Sequence, residues 1–171
     1  MNPISNNQFL AAVLEEAAWK EISSKEGWSM EMLEKYQDKV DWNEISFNSD
    51  VMWTTDGINK FSHKINWEDF SRNCPAYILT EDNLLRFKNN WNWLKLSNRE
   101  EIYNNWYLLD KVIDFVDWKE IIDNWDIKLP IQFFKRYENH IPMSQLQDSR
   151  LWDKMVEIMD TQFREEIVGL G

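Results

Sequence analysis

Lys39-Val-Asp-Trp-Asn-Glu-Ile-Ser46 and Lys64-Ile-Asn-Trp-Glu-Asp-Phe-Ser71 spell one pattern twice. In each, a Lys, an apolar residue and Asp or Asn lead to Trp, and an apolar residue and Ser close the string. Trp19-Lys-Glu-Ile-Ser23 and Trp93-Leu-Lys-Leu-Ser97 repeat its core. Trp118-Lys-Glu-Ile-Ile122 loses the Ser, and Met143-Ser-Gln-Leu146 loses the Trp as well. From each anchor (Trp or Met143) to the next the distances are 23, 25, 26, 25 and 25 residues. Self-similarity at a fixed period of this size is the signature of stacked repeats.

Apolar columns surround the anchors. Nine residues before them stand Leu10, Leu33, Ile58, Leu84, Leu109 and Phe134, and six before them Val13, Tyr36, Phe61, Phe87, Val112 and Tyr137. Two before stand Ala17, Val40, Ile65, Trp91, Val116 and Ile141; three after stand Ile22, Ile45, Phe70, Leu96, Ile121 and Leu146. Offsets of three and four place such residues on one helical face, so each copy should open with an amphipathic helix. Ser29, Thr54 and Thr80 are suited to cap it, and Trp28, Trp53 and Leu79 before them to act as hydrophobic staples. In a later copy Pro130 follows Leu129 at the helix start. Asp41, Asn66 and Asp117, each with an acid three residues beyond, read as capping boxes for a second helix beginning at the anchor. The unit is therefore a long helix, a tight bend and a short helix.

The two opening strings resemble the D-K-I-N-W-x-x-L-S repeats of bacterial, phage and giant-virus proteins. The resemblance covers roughly residues 8–146 and implies an architecture; it carries no catalytic residues. The expected fold is all-α: a single domain over residues 1–171, built as a short α-solenoid of about six repeats of about 25 residues. Repeats would occupy about 5–146, and a capping helix about 148–167 using Leu151, Trp152, Met155, Ile158, Met159 and Phe163.

Composition agrees. The 171 residues include 11 Trp but only 4 Gly and 4 Pro, which excludes collagen-like and Gly-rich architectures. Met1–Glu16 lacks a basic segment before its short apolar stretch, unlike a secretory leader. No apolar run approaches the roughly 20 residues that cross a bilayer. Cys74 has no disulfide partner, which points to a cytoplasmic protein. It is expected half-buried, and inert for want of a neighbouring base. His63 and His140 form no zinc-binding pair and suit the C-terminal ends of helices. Adjacent carboxylates such as Glu81-Asp82 point about 100° apart on a helix, not toward each other. Neither a phosphate-binding Gly-rich loop nor a nucleophile motif occurs, so no catalytic residue, cofactor or metal is expected.

The net charge is −11, and it is uneven: residues 1–85 carry 7 basic against 15 acidic side chains, residues 86–171 carry 12 against 15. Such a chain would repel nucleic acid backbones. An acidic surface instead steers a basic protein. Glu31, Glu34, Asp38, Asp50, Glu68, Glu81 and Asp82 are the expected partner-binding residues. Trp106, Tyr107, Trp125 and Trp152 fall outside the columns and could anchor a partner if exposed. The expected function is non-enzymatic binding of a basic toxin, effector or nucleic-acid-binding protein. The protein would be an immunity protein or a phage inhibitor that imitates nucleic acid charge. The alternative is a scaffolding repeat protein, self-associating and without a dedicated partner.

Overall fold

A computed structural model describes residues 6–169, so the start of the Met1–Glu16 stretch and of the repeat region lies outside the described residues. All regular structure among the described residues is helical. The chain divides into two compact units, one ending at Asn92 and the other beginning at Trp93.

In the first unit, α1 (Asn6–Lys25) is followed by the pairs α2 (Met30–Tyr36) with α3 (Trp42–Phe47) and α4 (Thr55–Phe61) with α5 (Trp67–Asn73). A 3-10 turn (Ala76–Ile78) and α6 (Glu81–Arg86) complete it. The second unit holds α7 (Trp93–Ser97), α8 (Glu100–Tyr103), α9 (Trp106–Lys111), α10 (Trp118–Ile122), α11 (Pro130–Tyr137), α12 (Met143–Leu146) and α13 (Arg150–Gly169). A second helix begins at every anchor from Trp42 to Met143.

The predicted columns form the core from the second copy onward. Leu33, Ile58, Leu84 and Leu109 are buried, as are Ile45, Phe70, Leu96, Ile121 and Leu146. The staples Trp28, Trp53 and Leu79 are buried too. The Met30 side chain lies over Gly57 in the space a Cβ would take.

Each anchor indole is half-buried and bridges two copies. Its ring meets an aromatic residue of the next copy, Trp19 with Tyr36 at 5.5 Å, Trp42 with Phe61 at 5.0 Å and Trp118 with Tyr137 at 5.3 Å. In three copies the indole N–H donates five residues back, from Trp42 to the Gln37 carbonyl, Trp67 to Ser62 and Trp118 to Ile113. The carbonyls so taken lie just past the first helices, whose ends the indoles thereby fix. Those helices span six to eight residues. The expected long helix is thus short: it exceeds its partner by one residue in most copies, equals it in α4 and α5, and is twice as long only in α11 and α12.

The Ser of the motif ties copy to copy. Ser23, Ser46, Ser71 and Ser97 each donate to the carbonyl of their own Trp four residues back, at 2.6–2.7 Å. Each also accepts the backbone N–H just before the next anchor: Asp41 at 3.0 Å, Asn66 and Asn92 at 2.9 Å, Asp117 at 2.8 Å. This alters the capping boxes. Asp41, Asn66 and Asp117 do cap their helices through side-chain oxygen. Their own N–H groups, however, go to the serines and not back to the acid three residues on.

Copy one departs from expectation. α1 runs without a bend through Trp19, leaving Leu10, Val13, Ala17 and Ile22 exposed. Ala18 stands where later copies have Asp or Asn, so no side chain competes with the continuing helix. Copy five ends differently: Ile122 replaces Ser and is buried. The residue that would have donated to that Ser is Pro142, which has no N–H. Its backbone, φ −70° and ψ 94°, keeps the conformation of Asn66 at φ −76° and ψ 97°. α11 is also shifted: Leu129, exposed and left-handed at φ 51°, precedes it, and Phe133 is buried where Phe134 was expected.

Candidate interaction surface

The first turns of α2, α4 and α6 present an acid at one equivalent place, eleven residues before the anchor: Glu31, Asp56 and Asp82. All three are exposed. A carboxylate there is favoured by the unpaired N–H groups of the helix start. Among the described residues Glu31 and Asp56 make no ion pair, while Asp82 pairs with Arg86 at 3.1 Å. Asp56 is not among the expected partner-binding residues; its place eleven residues before Trp67 was the available signal.

The other expected binding residues divide in two. Glu34 pairs with Lys60 at 2.6 Å and Asp38 with Lys64 at 3.2 Å, each a link to the next copy. Lys64 also lies over the Trp42 ring at 5.6 Å. Two of the three expected acids in and just past α2 are thereby offset by lysines, and Glu31 is not. Asp50 and Glu68 are exposed, and Glu81 is half-buried beside Asp82.

Of the aromatics outside the columns, Tyr107 and Trp125 are exposed, while Trp106 and Trp152 are half-buried. Arg150 stacks over Trp125 at 3.8 Å. Trp106 belongs to a polar cluster: Tyr137 donates to Asp110 at 2.9 Å, and Arg136 pairs with Asp110 and lies over the Trp106 ring. Burial works to raise the Asp110 carboxyl, but hydrogen bonds from Arg136 and Tyr137 outweigh it and hold the group below its usual range. Burial, with Asp110 alongside, pushes the Tyr137 phenol up to about 12.

His140 and Cys74 occupy packing positions. His140 stacks on Trp118 at 5.5 Å, at the sequence position where Lys39 covers Trp19. His63 is exposed, and Cys74 is buried more completely than expected. Sequence reasoning missed the Asn six residues past the anchor. Asn48 donates to the carbonyls of Ser23 and Glu26, at 2.9 and 2.8 Å, and Asn124 to that of Ser97 at 3.4 Å. No family model matches the chain, and neither a curated protein nor a solved structure matches it.

Proposed function

We propose that this protein is a non-enzymatic binding module, a short α-solenoid whose acidic N-terminal half docks a basic protein. The observation that carries this reading is the column Glu31, Asp56 and Asp82, exposed at one place on three successive first helices. Two of the three carboxylates are not committed to neighbouring cations. Short helices tied together by Ser-to-backbone bonds and Trp stacking hold these charges in fixed order, which favours specificity over general stickiness. A basic toxin or a nuclease presents complementary charge, and the resemblance to phage and bacterial repeat proteins supports a small cytoplasmic inhibitor of one.

Affinity capture from the native host tests this, comparing the wild-type chain with Glu31→Lys/Asp56→Lys/Asp82→Lys. A basic protein retained by the wild type, lost with the triple variant and released by salt is the expected result. Retention unaffected by the reversals would overturn the assignment.

A further inference from the structure

α13 is twenty residues long, about 30 Å at 1.5 Å per residue, and the helix packed on it, α11, has eight. Only Leu151 of α13 is buried, and every residue from 159 to 168 is exposed. Yet this half is not polar throughout. Val156, Met159, Phe163 and Ile167 are 48%, 41%, 54% and 71% exposed. Together with Trp152 they follow spacings of three and four, one apolar stripe on one helical face. The N-terminal part of the stripe faces a groove of about 500 Å³ lined by Ile131, Phe134, Trp152, Met155, Met159 and Phe163.

We propose that this stripe and groove are a self-association surface, and that two copies pair through antiparallel α13 helices about a two-fold axis. Three observations select a second copy as the occupant. The stripe is palindromic: Trp152 with Ile167, and Val156 with Phe163, are equidistant from the midpoint between Met159 and Asp160. An antiparallel copy therefore sets Trp152 against Ile167 and Val156 against Phe163, each contact made twice as in an isologous interface, with Met159 beside Asp160 at the axis. It also lays the uncovered half, with Phe163 and Ile167, along the partner's groove.

Charge is complementary in the same arrangement. α11, a wall of the groove, carries Lys135 one turn from Ile131 and no carboxylate, whereas the segment 159–169 keeps Glu165 and Glu166 in excess once Asp160 has paired with Arg164; Arg136 is committed to Asp110 and takes no part. The area suffices as well. Four side chains of this size and exposure offer on the order of 400 Å² per copy. Doubled, and with the groove walls and polar flanks added, this reaches the roughly 1,200 Å² at which specific interfaces begin.

Light scattering and sedimentation of the full chain across the micromolar range test the proposal, with Cys74→Ser as the background for cross-linking. A dimer is expected, with its dissociation constant raised at least 100-fold by Phe163→Asp at unchanged helical circular dichroism. On oxidation Met159→Cys, beside the axis, should cross-link to its mate, and Ile167→Cys, far from it, should not. A monomer at every concentration would overturn the proposal. So would a dimer that cross-links through Ile167→Cys, or one indifferent to Phe163→Asp. Amphipathic peptides that bind the groove while the chain stays monomeric would mean a foreign helix, not a second copy, is its occupant. Because the acidic column lies on other helices, loss of dimerisation and loss of the basic partner are separately observable.

Discussion

The Ser46 hydroxyl donates to the Trp42 carbonyl at 2.6 Å and accepts the Asn66 N–H at 2.9 Å. One side chain thus closes the turn of its own helix and fixes the start of a helix one copy later. Ser46 is buried. Ser46→Ala therefore strands a backbone donor at the base of α5 and should cost about 1–3 kcal/mol. Urea denaturation measures it; a loss within error would mean that the bond contributes nothing net.

Ile122 and Pro142 are the same relationship with both partners removed. Pro142→Asn alone should destabilise by leaving an N–H facing Ile122, and Ile122→Ser alone by removing a buried side chain. Together they should recover about 1 kcal/mol relative to the sum of the single costs. Strict additivity in the double-mutant cycle would contradict the pairing.

Leu129 holds a left-handed backbone at φ 51°, with its side chain exposed. Relief of about 1–2 kcal/mol of steric cost should outweigh the flexibility Gly adds to the unfolded chain. Leu129→Gly should accordingly raise the thermal midpoint, and a lowered midpoint would show that the Leu side chain packs more than its exposure implies.

Two groups of the Trp106 cluster make stability depend on pH in opposite directions. Asp110 is depressed in the folded state, so its contribution is present above the unfolded carboxyl range and disappears as pH falls through the folded value. Tyr137 is raised to about 12, so its contribution is complete below the unfolded phenol value of about 10 and is lost as pH climbs toward 12. Tyr137→Phe should flatten the decline between pH 10 and 12 in chemical denaturation; an unchanged alkaline slope would remove Tyr137 as its source.

Glu34 and Asp38 pair with lysines at the surface, and Glu34→Gln should change stability by less than about 1 kcal/mol. In binding to the basic partner, reversal of Glu31 with Asp56 should slow association more than reversal of Glu34 with Asp38, whose charge Lys60 and Lys64 already offset. Stopped-flow mixing at low salt orders the two.

The helices and their core were legible because a period fixes columns, and columns such as Leu33, Ile58 and Leu84 need only bury themselves to be right. Caps at Ser29, Thr54 and Thr80 were equally readable, being local in sequence. What depends on a meeting between copies was not. The Ser of the motif is visible as a repeated letter, but its acceptor role needs the next copy's N–H beside it. The same holds for Asn48, whose partners lie 22 and 25 residues away. Charge counts suffered likewise: they located the acidic half but could not separate paired Glu34 from unpaired Glu31. The unbroken α1 was foreshadowed by Ala18, whereas nothing local announced the left-handed Leu129.

The Ser-to-N–H link also governs how such a gene can change length. A copy duplicated in frame upstream of Trp118 arrives with an acceptor for its successor and a donor for its predecessor, so both junctions heal. A copy spliced in after Ile122 meets an isoleucine on one side and a proline on the other, and neither junction closes. The upstream junctions thus offer a matching bond to an added copy, and the stretch from Ile122 to Pro142 does not.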